Sequence, residues 1–180
     1  MDKEGPDEGK IWDLRGRCPR CSSEYIISEY LHDVPLIGRV ILSSGKCGRC
    51  GYKYRDVRAA ESAGPQRLKV FIDEPEDLNI LVVRASSASI YIPELGVSIE
   101  PGPASEGFIT TVEGILERIL KIMSMLYNDE SVDRNKWMEI YNMLLDAKEG
   151  KQPFTLIIKD PDGVSRIISD KAEKEKLYSE

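Results

Sequence analysis

All four cysteines of this 180-residue chain fall in two CxxC pairs, Cys18-Pro-Arg-Cys21 and Cys47-Gly-Arg-Cys50. Each pair offers two sulfurs from one tight turn, and two such turns set crosswise make the tetrahedron that zinc accepts. Four thiolates close the coordination sphere and leave no position for a catalytic water. The spacing therefore predicts one structural Zn2+ held by Cys18, Cys21, Cys47 and Cys50. A thioredoxin-like redox motif would need one CxxC opening a helix within a βαβ pattern, and that pattern is absent. Gly51 follows the second pair, where a positive φ lets the backbone aim N–H groups at sulfur. Ser22 holds the matching place after the first pair and is the less permissive residue. His32, the single histidine, reads as a polar loop residue rather than a further ligand.

The 25 residues between the pairs exceed the usual length of a compact ribbon, so the excess is expected in a hairpin. Its arms are the β-rich runs EYIISEYL and LIGRVILSS, parted by HDVP. Residues 1–10 read as a disordered lead-in and 11–63 as a zinc-ribbon module. The small polar junction AAESAGPQ marks the boundary at Gly64 and Pro65. From 64 to 170 short strand-like runs follow: RLKVFI, LNILVVRA, ASIYIPEL, GVSIEP, FTLIIKD and VSRIIS. Pro93 is expected at an edge or bulge. The PDG between the last two runs reads as a hairpin turn. This punctuation predicts a sandwich or barrel-like β domain.

A helical hairpin over 111–149 interrupts these strands. Thr110 to Glu113 fits a capping box, and apolar residues from Ile115 to Leu126 recur at helical spacing. Asp133 is the expected N-cap of the second helix and Gly150 its stop. Residues 171–180 form a charged tail, helical or loose. The fold class is thus mainly β with α: a four-cysteine ribbon, then a β domain carrying an inserted helical hairpin.

Charge narrows the partners. Residues 1–63 carry 11 Lys and Arg against 10 Asp and Glu, while residues 64–180 carry 14 against 21. The acidic larger part works against a phosphate backbone and makes nucleic acid an unlikely partner. The run Arg49, Tyr52, Lys53, Tyr54, Arg55, Arg58 offers the opposite reading, a zinc-ribbon nucleic-acid adaptor in transcription or translation, with a solvated strand as the plainer account. No apolar run reaches membrane-spanning length, and the acidic N-terminus is unlike a secretory signal, so a cytoplasmic protein is expected. No phosphate-binding glycine loop or nucleophile–His pair is present. Glu94 alone cannot support acid–base catalysis, and a binding protein is expected rather than an enzyme.

Several segments in order carry a family likeness: CPRC, VPLIGRVILSSGKCGRCGYKYRDV, EDLNILVVRASSASIYIPELGVSIEPG, GFITTVEGIL and FTLIIKDPDG. Together they resemble the Zpr-one zinc-finger family of eukaryotes and archaea, across most of residues 16–170. The likeness implies a zinc ribbon followed by a double-stranded β-helix with a helical hairpin, in one copy as in the archaeal type. It also implies a chaperone that binds elongation factor 1-alpha, a GTPase, and assists its folding. On this reading the hairpin tip Val34, Pro35, Leu36 and Ile37 and the helical residues Met123, Trp137 and Tyr141 contact the client. At the tip the family pattern carries aromatics after the proline, and this chain has aliphatic residues.

Overall fold

The computed structural model describes residues 9–34, 38–60, 64–103, 105–127, 129 and 131–177. The first sheet is an antiparallel meander of β1 (Gly9–Arg17), β2 (Glu24–Val34), β3 (Gly38–Lys46) and β4 (Lys53–Ala59). β2 and β3 form the expected hairpin, with Ile27 opposite Gly45 and Val34 opposite Gly38. The expected tip residues Pro35, Leu36 and Ile37 lie outside the described residues. β1 starts inside the stretch expected as a lead-in, at Gly9. It pairs along β2 from Gly9–Leu31 to Arg17–Glu24. Its alternation, Trp12 and Leu14 on one face and Asp13 and Arg15 on the other, is a strand period hidden beneath a polar composition.

Two further sheets sandwich the main core. One runs β12 (Glu173–Lys176), β5 (Gln66–Ile72), β10 (Phe154–Asp160), β7 (Ser89–Ile92), β8 (Val97–Ile99). The other runs β11 (Arg166–Ile168), β6 (Leu81–Arg84), β9 (Phe108–Thr111). Between them Val70, Ile90, Ile92, Leu156 and Ile158 are almost fully buried, with Phe154 at their end. Ile92 ends its strand because Pro93 opens a 3-10 turn, Pro93–Leu95. Glu94 in that turn accepts from the Thr155 N–H at 2.9 Å and the Thr155 hydroxyl at 2.6 Å, tying the turn to β10.

The sequence expectation of a PDG hairpin is corrected here. β10 pairs with β5 and β7, whereas β11 pairs with β6 in the opposite sheet. The buried carboxylate of Asp160 accepts from the N–H groups of Asp162, Gly163 and Ser165. It turns the chain from one sheet to the other without leaving backbone donors unpaired. The charged tail is likewise a strand where described: β12 pairs with β5, Glu173 opposite Lys69 and Glu175 opposite Arg67. Opposite charges directly across a ladder favour this pairing.

The helical hairpin is α1 (Val112–Leu126) and α2 (Arg134–Lys148). The cap of α1 is Thr111 rather than Thr110: its hydroxyl accepts from the Gly114 N–H. Thr110 and Thr111 are held in β9 opposite Val82 and Leu81, which shifts the helix start by one residue. Asp133 caps α2 as expected, accepting from the N–H groups of Asn135 and Lys136. Gly150 follows with φ +72°, against Pro75. α1 buries Val112, Ile115, Leu116 and Ile119 against the sandwich.

Candidate metal centre and the surfaces it braces

The two cysteine turns close in the same way. The Ser22 N–H donates to the Cys18 carbonyl at 2.8 Å, and the Gly51 N–H to the Cys47 carbonyl at 2.9 Å. Cys18 N–H donates to the Ser23 carbonyl and Cys47 N–H to that of Tyr52, fastening each turn to its exit. Gly51 takes φ +74°, and Ser22 takes φ +58°, the only such non-glycine among the described residues. An L-residue in that region costs about 1–2 kcal/mol. The turn geometry holds Ser22 there regardless.

The four sulfurs lie within 4.8 Å of one another, with Cys18 Sγ 3.5 Å from Cys50 Sγ and Cys21 Sγ 3.6 Å from Cys47 Sγ. Sulfurs placed tetrahedrally at ~2.3 Å from zinc stand roughly 3.8 Å apart, so the set fits a Zn2+ ion. Cys18 and Cys47 are buried, and Tyr25, Ile27, Tyr52 and Tyr54 pack around them. His32 is not among the clustered ligands.

Sequence reasoning passed over Ser23. Its hydroxyl lies 3.0 Å from Cys21 Sγ and 3.2 Å from Cys47 Sγ. The Ser23 hydroxyl, with the N–H groups of Cys50 and Arg49, lowers the Cys47 thiol to about 6 despite its burial. Ser23 also holds the Cys21 thiol below its ordinary value. Cys50 goes the other way. The Tyr52 N–H favours its thiolate, but burial and the three neighbouring thiols prevail and push it up to about 12. Four crowded thiols cannot all ionise without a cation among them, and a metal resolves that conflict by releasing protons.

A second unforeseen feature is the buried carboxylate of Glu29. It receives the Trp12 indole N–H at 2.7 Å, the Arg58 guanidinium at 2.7 Å and the Ser43 hydroxyl at 3.1 Å. The sign was available in the sequence, since Glu29 shares a strand face with Tyr25 and Ile27. The network joins all four strands of the ribbon sheet. It also commits Arg58, one of the basic residues that supported a nucleic-acid reading.

The other expected contact residues divide. Val34 is half-buried beside Val40, Val57 and Val83, where the ribbon sheet meets β6 and β11 of the sandwich. Met123, Trp137 and Tyr141 come together in the helical hairpin. Trp137 is buried, donates its indole N–H to the Met123 carbonyl at 2.9 Å, and stacks on Tyr141 with ring centroids 4.7 Å apart. Tyr127 meets Trp137 edge-on, with ring centroids 5.0 Å apart. The residues that this stack props outward are Ile122, Met125, Leu126 and Met138, all exposed. Leu126 belongs to the apolar stripe expected for α1, whereas Ile122, Met125 and Met138 stand beside the expected stripes. No helix among the described residues is long and apolar enough to cross a membrane.

Comparison with known proteins matches both parts of this architecture. A family model described as the ZPR1 zinc-finger domain covers residues 10–65, and one described as the ZPR1 jelly-roll domain covers residues 76–179. An uncharacterized ZPR1-like protein of Pyrococcus horikoshii is 38% identical over 95% of this chain and 80% of its own length. One of Methanocaldococcus jannaschii is 38% identical over 91% of this chain and 84% of its own. The zinc finger chaperone zpr1 of Schizosaccharomyces pombe is 30% identical over 86% of this chain, which spans 35% of that longer protein.

Proposed function

This chain belongs to the ZPR1 family, and on that premise we propose that it is a zinc-braced chaperone whose client is elongation factor 1-alpha, not an enzyme. The carrying observation is the outer face of the helical hairpin. Met125 is 67% exposed and Met138 48%, beside exposed Ile122 and Leu126. Methionine-rich apolar surface is adaptable, as suits a client that changes shape while it folds. The fission-yeast relative is named a chaperone, which supports the same direction. The helical hairpin forms one contact surface, with Met123, Trp137 and Tyr141 fixing its shape from within. The ribbon tip, Val34 with Pro35, Leu36 and Ile37, forms the second. The nucleotide state of the GTPase governs release.

The test is capture of purified elongation factor 1-alpha by the zinc-loaded chain, with GTP and GDP compared. The wild-type chain is expected to bind, and a variant carrying Met125→Asp and Met138→Asp to lose most binding, because a charge at an interface core is left unpaired. Both side chains are exposed, so stability should move by only ~0.5 kcal/mol per site. Full capture by the double variant, or no capture by the wild type with either nucleotide, overturns the reading.

A further inference from the structure

The ribbon sheet meets the jelly roll at β3 and β4. There Val40 and Val57 pack on Val83, and the Gly107 N–H donates to Asp56 Oδ1 at 3.2 Å. Gly107 must be glycine at this approach, since a Cβ would stand 2.9 Å from the Val57 backbone nitrogen. Beyond that contact the two bodies part and leave a cleft of about 750 Å³ between β4 and β9. Both are the outermost strands of their sheets on that side. Two smaller hollows continue it. One, of about 330 Å³, shares Ser44 and Arg55 with the cleft and runs along the ribbon face. The other, of about 400 Å³, shares Arg118 and runs along α1. Together they form one trough.

Its charge is opposite to that of the molecule. Lys46, Lys53, Arg55, Arg118 and Lys121 line it, and none of them forms an ion pair among the described residues. Of its three acidic residues, Glu117 pairs with Lys148 at 2.7 Å, Asp56 accepts from the N–H groups of Val57 and Gly107, and Glu106 stands with them, so five cations line the trough against three anions. Behind Phe108, the buried guanidinium of Arg84 donates only to neutral oxygens, those of Ala88, Ser105 and Glu106. A protein of net charge −6 thus keeps a positive trough between its two bodies.

We propose that this trough binds an extended, acidic polypeptide segment that carries both carboxylates and apolar side chains. Both kinds of side chain follow from the lining, in which Leu42, Val57, Phe108 and Ile109 lie between the cations of its two ends. An extended segment reaches from the cations at one end of the trough, across this apolar middle, to those at the other. The aromatic rings of the cleft are partly occupied already. Tyr30 and His32 stack on each other at 6.4 Å, and the Arg118 guanidinium lies 4.4 Å over Phe108. Tyr54, in the hollow on the ribbon side, packs toward the cysteine cluster, so the rings offer a nucleic-acid strand few free faces to stack on. The trough adjoins the helical surface proposed for the client, since Arg118 and Lys121 stand one turn before Ile122 and Met125 on α1, but its charge gives it a ligand of its own whatever that client is.

Fluorescence anisotropy with the full zinc-loaded chain tests this. The probe is a labelled peptide of glutamate alternating with valine and threonine; its glutamine counterpart and a labelled oligouridylate are the comparisons. The acidic peptide is expected to bind saturably, less tightly as salt rises, and at least about tenfold more tightly than either comparison. Arg55→Glu with Arg118→Glu should weaken it by about tenfold or more. Because Arg118 touches Phe108, Lys53→Glu with Lys121→Glu repeats the test at side chains without partners among the described residues. Zinc content and melting temperature establish that each variant is folded. Absence of saturable binding, tighter binding of the oligouridylate, or unchanged affinity in the folded Lys53 and Lys121 variant would overturn the proposal.

Discussion

Ser23 shows how one hydroxyl tunes a metal site without ligating. It sits between Cys21 and Cys47, 3.0 and 3.2 Å from their sulfurs. It favours the thiolate forms that zinc requires. Hydrogen-bonding partners of metal ligands usually contribute 10–100-fold in affinity. Ser23→Ala should therefore weaken zinc binding by about tenfold in a chelator competition, with the fold retained when zinc is in excess. An unchanged affinity would assign Ser23 to turn geometry alone. The four ligands were legible at once because CxxC spacing fixes their geometry locally. Ser23 was not, since its partner Cys47 lies 24 residues away and only the β2–β3 pairing brings the two together. The same holds for Glu29, whose partners Trp12 and Arg58 arrive from strands on either side.

Elements followed a similar rule. The run FTLIIKD is β10 to the residue, and the caps at Asp133 and Gly150 stand where turn chemistry put them. Local pattern decides such things. Which strand pairs with which is set by the whole sandwich, and the apparent PDG hairpin is instead a change of sheet. The IPEL segment, read as edge residues, proves to be a tie between a 3-10 turn and β10 through Glu94. Burial pushes the Glu94 carboxyl up, but the Thr155 hydroxyl and N–H, its own backbone N–H and Lys69 pull harder, leaving it below the usual glutamate value. A carboxylate lowered in the folded state adds stability above its unfolded pKa and loses it as pH falls through the folded value. Glu94→Gln should destabilise the protein at pH 7 by about 1 kcal/mol, discounted for the exposure of the side chain. The gap should begin to narrow as pH falls past the ordinary glutamate value of about 4.3 and close only below the lowered folded value. Urea melts at the two pH values measure it, and an equal loss at both would mean that shape rather than charge holds the turn.

On the scale of the molecule, zinc and the jelly roll stabilise different bodies that share a small interface. The main core of the jelly roll contains no ribbon residue, and the ribbon touches it through Val40 and Val57 against Val83, with Leu81 and Ile168 at the margin. Structural zinc contributes folding free energy to the body that holds it. Chelation should therefore unfold the ribbon sheet, and with it the Glu29 network, while the sandwich from Gln66 onward stays folded. The sandwich would not be indifferent. Exposing Val83 and its neighbours removes about 2 kcal/mol of apolar burial, enough to lower its melting temperature by roughly 5–10 °C. Amide hydrogen exchange with and without chelator distinguishes the possibilities. Selective loss of protection in β1 to β4, with β5, β7 and β10 still protected, is the expected result. Loss of protection across β10 at the same chelator concentration would show that the two bodies fold as one cooperative unit. The ribbon would then be integral to the jelly roll rather than a braced arm beside it, and the trough between them could not open or close independently of the core.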